Sequence, residues 1–321
     1  MLSAQLSYDI TDWLNISGRV RVDNTHTKYE QKLYASSNLT ITEESTQGHY
    51  TISKPDETQT YADVLANINK RFNDFSLVAN VGASIVNNRY EDLSYRGPIR
   101  EKGIPNVFNV FDLDNTKKKA RQDEWQEQTQ SVFASVEVGW KSMLYLTLTG
   151  RNDWASQLAN SSTPCFFYPS VGLSGVISEM LTLPEFIDYM KVRGSFSSVG
   201  MPYPRNLTSP TYEYDEANQQ WKPKTHYPIK DLKPERTNSW ELGLDMRLFK
   251  DFSLGFSWYL ANTFNQTFDP KVSVSSGYSK IYLQTGYVRN SGVELSLGYG
   301  HTWNNHLHWE SNFTLSHNKN T

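Results

Sequence analysis

The chain of 321 residues has one cysteine, Cys165, which excludes an intrachain disulfide framework and a zinc site built on cysteines. Apolar residues are scarce too: AVILMFWYC make up 38% of the sequence, and mean hydropathy is −0.59. No run of about twenty apolar residues occurs, so no membrane helix is expected. Neither charge sign dominates, since 31 Lys and Arg against 34 Asp and Glu leave a net charge of −3. That balance argues against a nucleic-acid partner. Gly-X-Ser-X-Gly, phosphate-loop and His-Glu-X-X-His patterns are missing as well, so neither catalysis nor a cofactor is expected. The stretch from Met1 to Trp13 lacks a basic n-region, an apolar h-region and a small-residue cleavage site, which predicts no signal peptide. Both ends run straight out of strand-like sequence and look cut.

Aromatics, by contrast, are plentiful, at 15 Phe, 9 Trp and 19 Tyr. A disordered chain with so few aliphatics would lack them. The dominant hydropathy period is two, which places alternate side chains on opposite faces of a strand. From Ser239 to Leu248, Trp240, Leu242, Leu244, Met246 and Leu248 alternate with Ser239, Glu241, Gly243, Asp245 and Arg247. Phe252, Leu254, Phe256, Trp258 and Leu260 repeat the scheme after a tight turn at Phe249-Lys250-Asp251. Similar hairpins are expected around Asp12–Asn15, Asn73-Asp74, Lys141-Ser142 and Asn304-Asn305, and LPEFIDYM (183–190) is expected to hold a single helical turn. About twelve strands in six hairpins result.

The connections between hairpins are longer and polar, at roughly 29–58, 91–122, 155–165, 201–236 and 265–286. They alternate strictly with the short turns and so fall at one end of the sheet. Alternating strands near ten residues, short turns at one rim and long loops at the other describe an all-β, antiparallel transmembrane β-barrel. Rim girdles account for the aromatics Trp13, Phe75, Trp140, Tyr145, Phe249, Phe252 and Trp303. Glu137, Glu241, Asp245, Arg247 and Glu294 are expected to point away from lipid. A soluble β-sandwich is the alternative, but its strands are usually nearer five or six residues.

Several blocks are more specific than alternation: TGRNDWAS (149–156), FYPSVGLSGVISE (167–179), LPEFIDYMKVRGSFSSVG (183–200), LKPERTNSWELGLD (232–245) and VRNSGVELSLGY (288–299). In order and spacing they resemble the barrel of SusC/RagA-type TonB-dependent outer-membrane transporters of Bacteroidetes. Met201-Pro202 stands where that family commonly has Asn-Asp, and Gly175 where a Trp is frequent. The resemblance implies that residues 1–321 form part of a barrel of about twenty-two strands. Signal peptide, TonB box, plug domain and the C-terminal strands would lie outside them. It also implies import of an oligosaccharide or peptide with a SusD-like surface lipoprotein, in outer-membrane lipid, driven by TonB-ExbB-ExbD through the plug. A complete small outer-membrane barrel, pore, autotransporter-like or lipase-like, is the alternative.

The family-like residues Arg151, Asn152, Asp153, Trp154, Pro169, Glu179, Pro234, Glu235, Asn238, Trp240, Glu241, Gly292 and Glu294 are expected to be architectural, with Arg151 and Asp153 paired and Trp154 at the rim. Loop aromatics Trp125, Tyr203, Tyr212, Tyr214, Trp221 and Tyr227 are candidates for ligand or lid contacts, since flat rings stack on sugars and pack against partners. His301, His306 and His308 lack a carboxylate or cysteine at ligand spacing, so they read as polar rim residues and no metal is expected. Lys117, Lys118 and Lys119 read as a solvated loop.

Overall fold

A computed structural model describes residues 1–159, 161–205, 207, 212–215, 219–223, 226–227, 232–273, 275, 280–303 and 306–321, with 212–215, 222–223 and 226–227 described by backbone alone. The strands are β1 (Leu2–Thr11), β2 (Leu14–His26), β3 (Tyr29–Leu33), β4 (His49–Phe72), β5 (Phe75–Pro98), β6 (Lys119–Trp140), β7 (Leu144–Ala155), β8 (Cys165–Val176) and β9 (Ile187–Met201). There follow β10 (Tyr212–Asp215), β11 (Gln220–Pro223), β12 (His226–Tyr227), β13 (Glu235–Leu248), β14 (Phe252–Phe268), β15 (Lys280–Ile281), β16 (Leu283–Trp303) and β17 (Leu307–Asn320). The hydrogen-bonded order is β1-β2-β4-β5-β6-β7-β8-β9-β13-β14-β16-β17, with β3 paired onto β4; β10 pairs with β11, and β12 with β15. Long strands adjacent in sequence are thus adjacent in the sheet, as an antiparallel meander requires.

The short turns take the backbone that two-residue hairpins need. Lys141 and Ser142 have φ of 50° and 58°, Phe249 and Lys250 51° and 65°, and Asn73 49°. These left-handed values match the twist of the flanking strands. The Asn304-Asn305 turn lies outside the described residues. Two expectations need correction. The helical turn is α1 (Ile177–Met180), at the end of β8, and not within LPEFIDYM. The connections 29–58 and 91–122 are also shorter than expected, because β4 starts at His49, β5 runs to Pro98 and β6 starts at Lys119. Those strand ends carry polar residues on both parities, so no hydropathy alternation reveals them.

The chain divides into two compact units. Unit one comprises Met1–Leu6, Gly18–Asp63 and Ile85–Gln128. Its connections fold onto a small core of Tyr50, Ile99 and Leu113, all nearly inaccessible. The Ser45 hydroxyl donates to the Ile99 carbonyl at 2.7 Å, and Phe108 meets Tyr34 edge-on at 5.2 Å. Gly48, at φ 113°, lies where a Cβ would come within 2.6 Å of the Leu33 carbonyl, so no larger residue fits.

Unit two comprises Ser7–Ser17, Val64–Ser84 and Thr129–Thr321. Its registers sort the side chains, because residues directly opposite across an antiparallel pair share a face. One row runs Trp140, Leu144, Gly175, Val192, Leu244, Phe256, Leu295, Leu315. The next on that face runs Val138, Leu146, Leu173, Gly194, Leu242, Trp258, Val293, His317. On the other face one row runs Glu137, Thr147, Gly172, Ser195, Glu241, Tyr259, Gly292, Asn318. Asp245, Arg247 and Glu294 lie on that face too, since they share its parity. Accessibility is inverted relative to a water-soluble protein: Leu242 is 55% exposed while Ser131 is 2%. An apolar band of this extent, free of charge along the paired rows, is a lipid-facing surface.

Candidate functional site

Alternation along β7 divides the family-like block. Asn152 and Trp154 fall on the apolar face, opposite Val132 and Gln130, while Arg151 and Asp153 fall on the polar face, opposite Phe133 and Ser131. Arg151 Nε pairs with Asp153 Oδ1 at 2.7 Å, and its Nη2 donates to the Ser131 hydroxyl at 2.8 Å. The Tyr168 hydroxyl donates to the other Asp153 oxygen. Arg151 also covers the rings of Phe133 and Tyr168 at 5.7 and 6.0 Å. Asp153 is buried, so each of its oxygens needs such a donor. This network ties β6, β7 and β8 together. Its third member, Tyr168, was not foreseen, because only the register brings it opposite Arg151.

A second network crosses β9, β13 and β14. Arg193 contacts Glu241 at 3.3 Å and Asp245 at 3.2 Å, and its Nη2 donates to the Ser257 hydroxyl at 3.0 Å. The guanidinium lies over Gly243, where a Cβ would come within 2.4 Å of Arg193 Nε. The glycine therefore makes room for the cation. Arg193 thus sets one cation between two carboxylates of β13 on the polar face.

The other family-like residues lie on the strands, just before β13 at Pro234, or in α1. Pro169 sits opposite Gly150 and just before Ser170, the first β8 residue paired with β9, so its missing N–H interrupts no ladder bond on that side. The buried Ser198 donates to Asn238 Oδ1 at 2.7 Å, and Pro234 accepts from Asn265 Nδ2 at 3.4 Å. Trp240 packs on Phe196, ring centroids 4.6 Å apart. Gly292 leaves space for Tyr259, whose hydroxyl a Cβ would approach to 2.5 Å. Glu294 stands opposite Ser257 and Ser316 on the polar face. Glu179 is in α1.

At the loop ends of these strands a compact core forms from Ala155, Leu158, Phe166, Tyr203, Leu207 and Leu232, with Tyr168 and Tyr282 packed against it. Beside it lies a cavity of about 650 Å³ whose walls include Gln157, Tyr203, Glu235 and Tyr282. Tyr203 is thus a wall residue and not an exposed loop ring. Trp221 is exposed, and the side chains of Tyr212, Tyr214 and Tyr227 lie outside the described residues.

In unit one, Trp125 stacks on Tyr90 at 5.4 Å and 13°. Asp92, Asp123 and Glu57 lie close enough to raise the Tyr90 phenol above its ordinary value, with burial as the larger cause. Asp92 accepts from the Ser53 hydroxyl at 2.8 Å. Lys117 Nζ donates to the Glu43 carbonyl at 3.1 Å, and Lys118 Nζ to Asn115 at 3.4 Å, while Lys119 opens β6. His301 pairs with Asp251 at 2.8 Å, and His308 shares a hydrogen bond with Thr302 at 2.9 Å. The three histidines do not converge with carboxylates into a ligand set among the described residues.

The family model described as "TonB dependent receptor-like, beta-barrel" matches residues 1–321. The chain belongs to that family. Barrels of TonB-dependent receptors stand in the outer membrane, and their proteins are transporters rather than enzymes. Two TonB-dependent receptors of Formosa agariphila are similar in sequence. P26 is 25% identical over 221 residues, 66% of this chain and 22% of that protein. P39 is 24% identical over 270 residues, 79% of this chain and 25% of that protein. Among solved structures, the RagAB peptide transporter superposes with a TM-score of 0.82 at 16% identity, covering 99% of this chain and 36% of that one. The fold is therefore that of this TonB-dependent barrel, in agreement with the SusC/RagA-type resemblance. The chain spans about a quarter of the length of the curated relatives it matches.

Proposed function

We propose that residues 1–321 supply barrel strands to a TonB-dependent outer-membrane importer of the SusC/RagA type, which takes up an oligosaccharide or peptide together with a SusD-like surface lipoprotein. Energy reaches it from TonB-ExbB-ExbD through a plug domain contributed from outside these residues. The observation that carries the reading is the partition of unit two: exposed aliphatic and aromatic rows on one face, and Glu137, Arg193, Glu241, Asp245 and Glu294 on the other. Such a sheet fits a wall between lipid and an aqueous, charged lumen. Family membership supplies the class of transport, and the likeness to RagAB supports the lipoprotein partner.

Deletion of the gene in its own host tests this, with growth scored on a panel of glycans and of peptides as sole nutrient. Loss of growth on one polymer, reproduced by deleting tonB, is expected. Undiminished growth on every polymer in the deletion strain would refute the importer reading.

A further inference from the structure

Beyond the apolar rows of unit two, towards the loop ends, the same face of the sheet changes character. Arg236 shares the parity of Leu242 along β13, Arg289 that of Val293 along β16, and Lys319 that of Leu315 along β17. Arg236 stands opposite Phe264, Arg289 opposite Asn262 and Lys319 opposite Ser291. The carboxylates carried by β13, β14, β16 and β17 are Glu235, Glu241, Asp245, Glu294 and Glu310, and all have the other parity. Glu241 and Asp245 are moreover taken by Arg193 on that other face. Arg236 gives one N–H to the Phe167 carbonyl at 2.6 Å, and among the described residues no side chain pairs with Arg289 or Lys319. Three cations thus share the lipid-facing side with no counter-charge on their strands.

Their height follows from strand geometry. Arg236 stands twelve residues from Leu248, Arg289 fourteen from Trp303 and Lys319 twelve from Leu307, the turn ends of β13, β16 and β17. At about 3.4 Å per residue and a tilt of about 40°, each climbs roughly 30–35 Å from the turn rim. That clears an apolar band of about 25 Å and reaches the headgroups of the leaflet on the loop side. Phe264 and Tyr287, with ring centroids 5.3 Å apart, stand at the same level, where aromatic rings collect at a membrane interface. Only β14 separates β13 from β16 in the sheet, so at about 4.8 Å per strand the cations spread over roughly 14 Å. One phosphate cannot touch all three, whereas a broad headgroup with two phosphates can, since long basic side chains bend towards such groups.

We propose that Arg236, Arg289 and Lys319 form a seat on the outside of the barrel for the phosphate groups of a phosphorylated glycolipid of the lipid A type. The lipid's acyl chains lie on the apolar rows below, and its phosphates supply the charge that the strands withhold. The proposal needs the apolar band to meet lipid and does not depend on which nutrient is imported.

The test uses the full chain in detergent and native mass spectrometry of the lipid it retains. The probes are diphosphoryl lipid A, the same lipid with both phosphates removed, and dioleoylphosphatidylglycerol. Diphosphoryl lipid A is expected to bind roughly tenfold more tightly than either of the others. The double variant Arg289→Gln/Lys319→Gln, which spares the bond from Arg236 to Phe167, should lose that advantage. Arg247→Gln, on the polar face, should keep it. Both variants should melt with the parent chain, because none of the three side chains holds another. Equal binding of the dephosphorylated lipid, an unaffected double variant or an equal loss in Arg247→Gln would overturn the seat. Phosphatidylglycerol bound as tightly as lipid A would overturn the glycolipid as its occupant.

Discussion

Unit one and unit two are built from the same kind of strand, yet their surfaces follow different rules. In unit two, rows of Leu, Val, Phe and Trp occupy one face and every charge on the paired rows occupies the other. In unit one the strands pair charges two positions apart along one strand: Arg21 with Asp23 at 2.5 Å and Arg121 with Asp123 at 3.2 Å, and Arg89 with Glu91. A face that meets hydrocarbon cannot carry such pairs, whereas a face that meets water can carry them at little cost. The difference teaches that alternation records the solvent on each face and not strand geometry as such. Backbone pairing continues where the alternation stops.

The sharpest way to break this comparison is to place one charge in each region. Leu242→Arg, in the apolar rows of unit two, is expected to lower folding stability by about 2–4 kcal/mol in lipid vesicles, and Leu93→Arg in unit one by at most about 1 kcal/mol. Urea titration of both proteins in the same lipid decides the matter. Equal losses would mean that the band is not a lipid-facing surface.

A smaller effect separates the ion pairs. Asp153→Ala leaves the Tyr168 hydroxyl and the partly covered Arg151 without their shared acceptor, and should cost about 2 kcal/mol. Asp123→Ala opens a pair whose side chains are 69% and 47% exposed, and should cost less than about 0.5 kcal/mol. Denaturant midpoints of the two variants that coincide would show that the Arg151 network contributes no more than a surface pair.

The smallest expected effect is a pH dependence confined to unit one. Burial holds the His49 imidazole below its ordinary 6.5; Glu43 opposes that shift and Arg96 adds to it. The unfolded chain therefore binds the proton more readily than the folded one. The stabilising contribution is complete above pH 6.5 and is lost as pH falls through the lowered folded value. Amide exchange in residues 42–50 should accelerate between pH 7 and pH 5, after correction for intrinsic rates, and the acceleration should vanish in His49→Gln. Neighbouring Tyr50 moves the opposite way, pushed up to about 12 by burial and by its hydrogen bond to Glu30, so it remains protonated throughout that range.

Much of unit two was legible in the sequence because lipid imposes a strict pattern. The turns at Asn73, Lys141-Ser142 and Phe249-Lys250, and the inward set Glu137, Glu241, Asp245, Arg247 and Glu294, follow from period two alone. Unit one was less legible. Its strand extensions carry polar residues on both parities, and His49, Tyr50 and Pro98 are buried by the connections folded on them, so residues such as His49–Asp56 and Glu91–Pro98 lack the alternation that identifies a strand. The site was legible only in pieces. Arg151 and Asp153 are two positions apart on one strand, and their pairing follows from parity. The contacts of Arg193 with Asp245 and of Trp125 with Tyr90 each bridge residues more than thirty positions apart.

By itself the sequence determined which faces meet lipid, where the hairpins turn and which residues are kept out of the apolar band, since each depends on neighbours a few positions away and on the solvent. Tertiary structure alone decided which long-range partners satisfy one another. Strand register brings Tyr168 to Asp153 and lays Arg193 over Gly243, and the folding of loop ends places Tyr203 and Gln157 on one cavity. Those arrangements depend on the relative sliding of strands and the packing of loops, and no local propensity encodes either of them.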